Sequence, residues 1–450
     1  MPFQNLPTPT NGVSSNERVN GEARFVKDNS ASGSGDLFGF LWSDSQNSLD
    51  LIVSANNGQS WNKVATSTSL TPYRVMALAQ DSAGRVHVIS YAGTSDSGSY
   101  LRITLSYTNS HISGFTVATP IALPNHNRTS TQLRADIKLV KNASGTETLV
   151  YSMSMSTLGS SGSGTDMKVY MAKATSLTPA SSANFVGLHD SVSESDTLVF
   201  DSCVGHGSVC SHSPPDFTPH IHTALFAQNG ISRDLYLFQG PIDADYAITY
   251  GDDSDVLYYT RLSSSANGWG GTSRVTPPTP VAIATNKTSG PGIQYGAELF
   301  SVFSGTSYAW VMYIDPINGI RFGQLDSSGN YAEPSGINSP DATHKPRNGG
   351  GVFTVSADDT KVWAVWNILA DALMGGYSGG SYPSGSAPIA AEGYFNGSSW
   401  TVYNDPGAYD LMGVAGVSGW TNGTAAILIK LNVATQQWEQ PTAAAIWTNP

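Results

Sequence analysis

The feature that most constrains this chain is a repeated grouping of short strands. Apolar and polar residues alternate at period two along most of its 450 residues, as they do in half-buried strands. The runs come in fours. One group holds Arg74–Gln80, Val86–Tyr91, Leu101–Tyr107 and Phe115–Ala118. Another holds Gly351–Val355, Lys361–Trp366, Ala390–Phe395 and Trp400–Tyr403. Long segments at helical period are absent, and the strongest helix candidate, Asn367 to Met374, is short and followed by Gly375-Gly376.

Four strands per repeat of roughly 45–60 residues is the mark of a propeller blade. A blade cannot bury both faces alone, whereas stacking on its neighbours does so and leaves only short edges exposed. The expected fold is therefore all-β, a single seven-bladed β-propeller of four-stranded antiparallel blades over residues 1–450. The blades are expected at approximately 21–66, 72–120, 131–190, 216–275, 293–335, 345–405 and 407–443. The last group is poorly resolved by pattern and is open to one strand from the N-terminal residues. A pair of β-sandwiches would explain many strands but not the regular fours.

Composition narrows the setting. Charged residues are 12% of the chain, about half the usual share, so solubility rests on hydroxyls and amides. The formal charge is -12 with no basic stripe, which argues against nucleic acid as a partner. No run of about 18 apolar residues exists, so no transmembrane helix and no membrane partner are expected. Cys203 and Cys210 enclose six residues. They lack the short clamp of a zinc site and are expected to form a loop-stapling disulfide. Glycosylation sequons start at Asn127, Asn142, Asn286, Asn396 and Asn422. Together these features point to a secreted, extracellular, monomeric eukaryotic protein. The start Met1-Pro2-Phe3 has neither basic n-region nor long apolar run, so a mature or recombinant chain is expected.

First strands of a propeller line its axis, and residues leading into them ring one mouth where every blade contributes. Those positions are polar here: Tyr73 and Arg74, Arg134 and Asp136, Asp216, His220 and His222, Gln294, Tyr295 and Glu298, His344, Lys345 and Arg347, Tyr409 and Asp410. Only 22 basic residues exist in total, so Arg74, Arg134 and Arg347 at equivalent positions are notable. Guanidinium forks match carboxylates bidentately, and Tyr73, His344 and Tyr409 are further substrate-binding candidates. His220 and His222 flank Ile221, which puts both imidazoles on one strand face. That suits a base with a helper, or half of a metal site. Ordinary ion pairs such as Arg134 with Asp136 are the competing explanation. His87, between Val86 and Val88, reads either as a residue on the polar side of its strand or as a satisfied interior histidine. The segment 201–216, with both cysteines, is expected to overhang the mouth.

One local motif ties the strands to a known group. Ser54-Ala55-Asn56-Asn57-Gly58-Gln59-Ser60-Trp61 resembles the Asp-box, the S-x-D-x-G-x-T-W hairpin of sialidase-like propellers, with Asn56 for the Asp and Ser60 for the Thr. Looser echoes end at Trp269, Trp400 and Trp438, each expected to start an outer strand. The chain thereby resembles the sialidase-like superfamily. Among its members it is most similar to secreted fungal uronate-cleaving polysaccharide lyases of seven blades, which release a terminal rhamnose from glucuronate. The early R-I-P-type motif of true sialidases is absent. The resemblance implies an acidic polysaccharide or oligosaccharide as partner and a lyase in which Arg74, Arg134 and Arg347 hold the carboxylate. His220 or His222, with Tyr295 next, would take the proton. It requires no cofactor and leaves room for a structural calcium ion. A glycoside hydrolase (sialidase-like or rhamnosidase) and a sugar-binding lectin are the alternatives. The first-strand positions differ strongly from blade to blade, which disfavours a lectin with one pocket per blade.

Overall fold

The structure is a computed structural model. It describes strand backbone between Phe3 and Pro441, and side chains in the segments 26–40, 49–56, 61–68, 77–90, 98–124, 135–153, 170–187, 302–313, 320–337, 353–364 and 395–399, some with gaps. In chain order, β1 (Phe3–Asn5) and β2 (Val19–Asn20) precede a quartet of β3 (Phe25–Lys27), β4 (Leu37–Ser43), β5 (Ser48–Ser54) and β6 (Asn62–Ser67). Next come β7 (Tyr73–Gln80), β8 (Arg85–Ala92), β9 (Ser95–Thr108), β10 (His111–Val117) and the short β11 (Ile121–Ala122). Then follow β12 (Leu133–Lys141), β13 (Glu147–Leu158), β14 (Thr165–Ala174), β15 (Phe185–Gly187) and β16 (Leu198–Asp201). Three plain quartets succeed them. They are β17 (His220–Gln228), β18 (Ile231–Asp243), β19 (Ser254–Ser263) and β20 (Val281–Lys287); β21 (Glu298–Ser304), β22 (Ala309–Asp315), β23 (Gly319–Leu325) and β24 (Tyr331–Ala332); and β25 (Pro346–Val355), β26 (Val362–Ile368), β27 (Ile389–Phe395) and β28 (Trp400–Asn404). The last strands are β29 (Leu411–Ser418), β30 (Leu428–Asn432) and β31 (Gln437–Pro441).

Each quartet is an antiparallel meander. The nine-stranded sheet runs β1-β31-β30-β29-β3-β4-β5-β6, with β2 beside β29. Within it β1 pairs antiparallel with β31, and β29 pairs parallel with β3. The N-terminal strand is thus the outer edge of the C-terminal strands, and the two ends of the chain close on one another. The inner strands touch in the order β3, β7, β12, β17, β21, β25, β29 and back to β3. The fold is an all-β propeller of four-stranded antiparallel blades.

Packing explains the alternation. On β8, Val86 and Val88 join a core with Val26, Phe38, Leu49, Leu51 and Leu101 of the β3–β6 and β7–β10 sheets. Ile89, on the opposite face, joins Tyr100, Ile137, Tyr151 and Phe185 between the β7–β10 and β12–β15 sheets. Tyr100 meets Phe185 edge-on, ring centroids 5.2 Å apart, a favoured aromatic geometry. A third core, with Trp310, Phe322, Phe353 and Val362, lies between the β21–β24 and β25–β28 sheets. Cores lie between blades rather than within one, so each covered blade is apolar on both faces.

Two of the first hairpins share a turn. Asp81-Ser82-Ala83-Gly84-Arg85 and Asn142-Ala143-Ser144-Gly145-Thr146 link first to second strands. In both, the backbone N–H of the Asx residue donates to the fifth residue's carbonyl, and the Gly N–H donates back to the Asx carbonyl. The Asx Oδ1 accepts the amides two and four residues on. Asp326-Ser327-Ser328-Gly329-Asn330 repeats the pattern between β23 and β24. The glycines have φ of 81°, 82° and 85°, the left-handed region where a Cβ is strained.

Two expectations are corrected. Asn367 and Ile368 of the helix candidate finish β26, because Trp363, Val365 and Asn367 continue a ladder with β27; the rest of that candidate lies outside the described residues. Trp438 lies in β31, which β1 covers, so it does not start an outer strand; Trp400 does start the outer β28, and Trp269 lies outside the described residues. Trp61 is buried just before the outer β6, and Asn56 accepts the Ser54 hydroxyl at 2.9 Å.

Leu101 is fully buried, so Leu101→Ala is expected to cost roughly 3 kcal/mol in urea unfolding. A Cβ on Gly145 would meet nothing closer than 3.9 Å, whereas one on Gly84 would stand 2.7 Å from the Ser30 Cβ. Gly145→Ala should then cost about 1 kcal/mol from backbone strain alone, and Gly84→Ala clearly more. Equal costs would show that the inter-blade contact at Gly84 is loose.

Candidate functional site

In an antiparallel meander the start of strand one and the loop from strand two to strand three share one end. The one-to-two and three-to-four hairpins share the other. The two ends of this ring differ in chemistry.

The hairpin end is a scaffold. Asp81 is fully buried. Its Oδ2 accepts Arg85 Nε at 2.5 Å and lies 3.1 Å from His87 Nε2. A carboxylate only accepts, so the His87 tautomer is set with Nε2–H donating, and Nδ1 takes the Tyr100 hydroxyl at 2.7 Å. Burial alone would push the Asp81 carboxyl up, but hydrogen bonds from His87, the Arg85 amide and the Arg85 guanidinium outweigh it and hold it below the usual range. Burial keeps the Tyr100 phenol protonated far above its ordinary value. His87 is therefore an interior histidine with both nitrogens satisfied.

The same end stitches neighbouring blades. Asp28, after β3, accepts Gln80 Nε2 at 2.7 Å and the Tyr107 hydroxyl at 3.1 Å from the next blade. Burial pushes that phenol up to about 12. Asp36 accepts the Ile112 amide at 2.8 Å and faces His111 Nδ1 at 2.9 Å. Ser82 donates through its amide and hydroxyl to Glu147. Asp359 accepts the Ser307 amide at 2.7 Å and Trp310 Nε1 at 2.9 Å. Asp359 has only neutral donors here, so burial prevails and raises its pKa despite them. These brackets were not foreseen from the sequence. Only the Ser82–Glu147 bracket carried a signal, the D/N-x-x-G-x turns at 81–85 and 142–146 directly after first strands.

The opposite end is where the sequence candidates fall. Tyr73 and Arg74 are the first two residues of β7, and Arg134 is the second of β12. His220 and His222 are the first and third of β17, and Arg347 is the second of β25. β12 touches both β7 and β17, so Arg74, Arg134 and His220 stand at the starts of three consecutive inner strands. Glu298 begins β21, the strand between β17 and β25. Asp136 is the fourth residue of β12, buried, where it accepts the Ile137 amide at 2.8 Å and Lys138 Nζ at 3.2 Å. Tyr295, His344, Tyr409, Cys203, Cys210, Asn127 and Asn422 lie outside the described residues, as do Asp216, Gln294, Lys345 and Asp410. Asn286 is in β20. Among the described residues no three His, Cys, Asp or Glu side chains form a metal-binding group, and no helix is long and apolar enough to cross a membrane.

No family model matches the sequence, and no curated protein matches it. Solved structures with a similar arrangement include a prolyl endopeptidase (13% identity, TM-score 0.43, 96% of this chain and 50% of that one). The polysaccharide lyase Uly1 is another (10%, 0.40, 86% and 84%), and so is the BP39L lectin from Burkholderia pseudomallei (10%, 0.47, 96% and 98%). The chain spans 50% of the prolyl endopeptidase and 57% of a puromycin hydrolase that it also matches. The activities named differ from one of these proteins to the next.

A carboxylate held below its ordinary pKa contributes stability that is complete above the unfolded value, about 3.9, and is lost as pH falls through the folded value. The wild-type chain should therefore lose stability more steeply than Asp81→Asn as pH falls below about 4. At pH 7 Asp81→Asn should cost about 2 kcal/mol by weakening charge-assisted bonds to Arg85 and His87. Parallel pH curves for the two proteins would show that Asp81 is not the group responsible.

Proposed function

We propose that this protein is a secreted propeller of seven blades that cleaves an acidic glycan at a uronate by β-elimination, at the mouth formed by the starts of its inner strands. The blade count rests on the antiparallel strands β29, β30, β31 and β1, which make a quartet of their own beside β3. The functional reading rests on one observation: Arg74, Arg134 and His220 begin three inner strands that are neighbours in the ring.

The chemistry asks for those residue types. A base takes the proton from C5 of the uronate, the C4–O4 bond breaks, a C4=C5 double bond forms and the departing O4 gains a proton. Charge builds on the carboxylate as the proton leaves, and fixed guanidinium donors stabilise it there. Arg74, Arg134 and Arg347 are assigned that role. His220 or His222 is assigned the proton abstraction, since an imidazole exchanges protons near neutral pH. Tyr295 is the alternative base, and Tyr73, His344 and Tyr409 line the remaining subsites. The step needs no cofactor, and a calcium ion would be structural. A hydrolase would instead need two carboxylates about 5–9 Å apart, for which Glu298 is a member at the same mouth. Partners, extracellular location, the Cys203–Cys210 disulfide and a monomeric state belong to this same proposal.

Incubation with a panel of uronate glycans tests it. An unsaturated, ultraviolet-absorbing product supports the lyase. Saturated reducing sugars alone replace it with a hydrolase, and tight binding without turnover replaces it with a lectin. His220→Ala or His222→Ala, whichever removes the base, should lower kcat by about 10²-fold or more without unfolding the protein. Arg74→Ala and Arg134→Ala should fall in the same range. Full turnover in both histidine variants would remove the histidine assignment.

A further inference from the structure

Asn142 and Asn396 are two of the five sequon asparagines, and both cap hairpins. Asn142 Oδ1 accepts the Ser144 amide at 3.1 Å, the Ser144 hydroxyl at 2.7 Å and the Thr146 amide at 2.8 Å. Asn396 Oδ1 accepts the Ser398 amide and hydroxyl, each at 2.9 Å, and the Ser399 amide at 3.0 Å. Every one of these bonds uses the carbonyl oxygen. Nδ2 of either residue enters none of them. Asn142 is half-buried, and Ser144 to Thr146 and Asn396 to Ser399 are exposed. An amide whose oxygen holds the turn and whose nitrogen is left over can carry a substituent at no cost to the hairpin. Asn286 differs, because it is an internal residue of β20 opposite Asp255.

The cap itself does not call for asparagine. Asp326 holds the same turn as Asn142 through Oδ1, and shares with Asn396 the bond from the amide of the serine two residues on. That carboxylate is held below its usual pKa first by the Asn330 amide. Aspartate is the better acceptor of amide hydrogens, yet 142 and 396 carry the one cap residue that also offers a nitrogen.

Both hairpins belong to the scaffold end. Asn142 joins β12 to β13, and the neighbouring Glu147 is the acceptor for Ser82 of the preceding first hairpin. Asn396 joins β27 to β28, and a Cβ at Gly397 would stand 3.6 Å from the Thr360 carbonyl in the first hairpin of its own blade. Meander topology puts both at the end away from the strand starts of Tyr73, Arg134 and His220.

We propose that Asn142 and Asn396 are N-glycosylated through Nδ2, and that the glycans coat the hairpin face and leave the opposite mouth free. The inference rests on the secreted reading above and not on the lyase chemistry. In the transfer, the amide nitrogen forms a bond to the anomeric carbon of a lipid-linked oligosaccharide. The carbon–oxygen bond to the lipid pyrophosphate breaks, and the nitrogen loses one proton.

The full chain, produced behind a secretory leader in a eukaryotic host, tests this. Peptide mapping after enzymatic glycan release should find the deamidation mark at both positions. Asn142→Asp and Asn396→Asp should each lose one glycan and keep the wild-type Tm, because aspartate preserves the Oδ1 cap as Asp326 does. Enzymatic deglycosylation should leave glycan binding and turnover at the mouth unchanged within twofold. Unmodified Asn142 and Asn396 in the secreted protein would overturn the proposal. A change in substrate affinity on deglycosylation would overturn its placement of the sugars. Either result leaves the lyase assay independent, since that assay also runs on unglycosylated protein.

Discussion

Burial of both faces of each small sheet is the constraint on which this structure depends. A four-stranded blade has Val86 and Val88 on one side of β8 and Ile89 on the other, and the two sides enter different cores. Neither side can face water without exposing large apolar area, at about 25 cal/mol for each Å². Twist turns each added blade relative to the last, so stacking continues until the first and last blades meet. The parallel pairing of β29 with β3, and β1 on β31, are where the chain makes that meeting.

Closure leaves two ends that must be finished, and the hairpin end is finished with carboxylates. Asp81 and Asp359 are both buried at first hairpins, but their surroundings send them in opposite directions. Asp81 has Arg85 and His87 within reach and is held ionised. Asp359 has an indole N–H, the Ser307 amide and the nearby Asp358, and burial wins. The difference is the cost of a buried charge with or without a cationic partner. Cross-blade pairs such as Asp28 with Gln80 and Ser82 with Glu147 then fix how each blade seats on the next.

Much of the fold was legible because period-two alternation is a local property. The runs around Val86, Leu101 and Val362 name their own strands. The place of His87 was legible only in part: between two valines it was open to the polar side of its strand or to a satisfied interior site, and Asp81 and Tyr100 make it the latter. What lay beyond reach was long-range. No local signal tells that Asp28 will meet Gln80 and Tyr107; that an N-terminal strand could complete the last group was legible, but not the register that sets Phe3 against Pro441. Trp438 and the segment at Asn367 misled for the same reason. The former looks like an Asp-box tryptophan until β1 is added outside it, and the latter looks helical until β27 supplies the ladder. Of the candidate site, strand position was legible for Tyr73, Arg74, Arg134, His220 and His222, because a strand start is read from where alternation begins; Arg347, read four residues ahead of Gly351, lies inside β25 across an irregularity in the pairing.

The two ends also divide the labour of the chain. Along the hairpin end, polar groups of Asp28, Asp36, Asp81, Asn142, Asp326, Asp359 and Asn396 are committed to turns and brackets. A group that already has its partners gains little from a ligand, because binding would exchange one hydrogen bond for another. In a chain with only 22 basic residues, arginine at the starts of β7, β12 and β25 is therefore a larger fraction of the available cationic chemistry than any bracket uses. The proposed carboxylate site rests on those arginines, and the described brackets at the hairpin end do not draw on them.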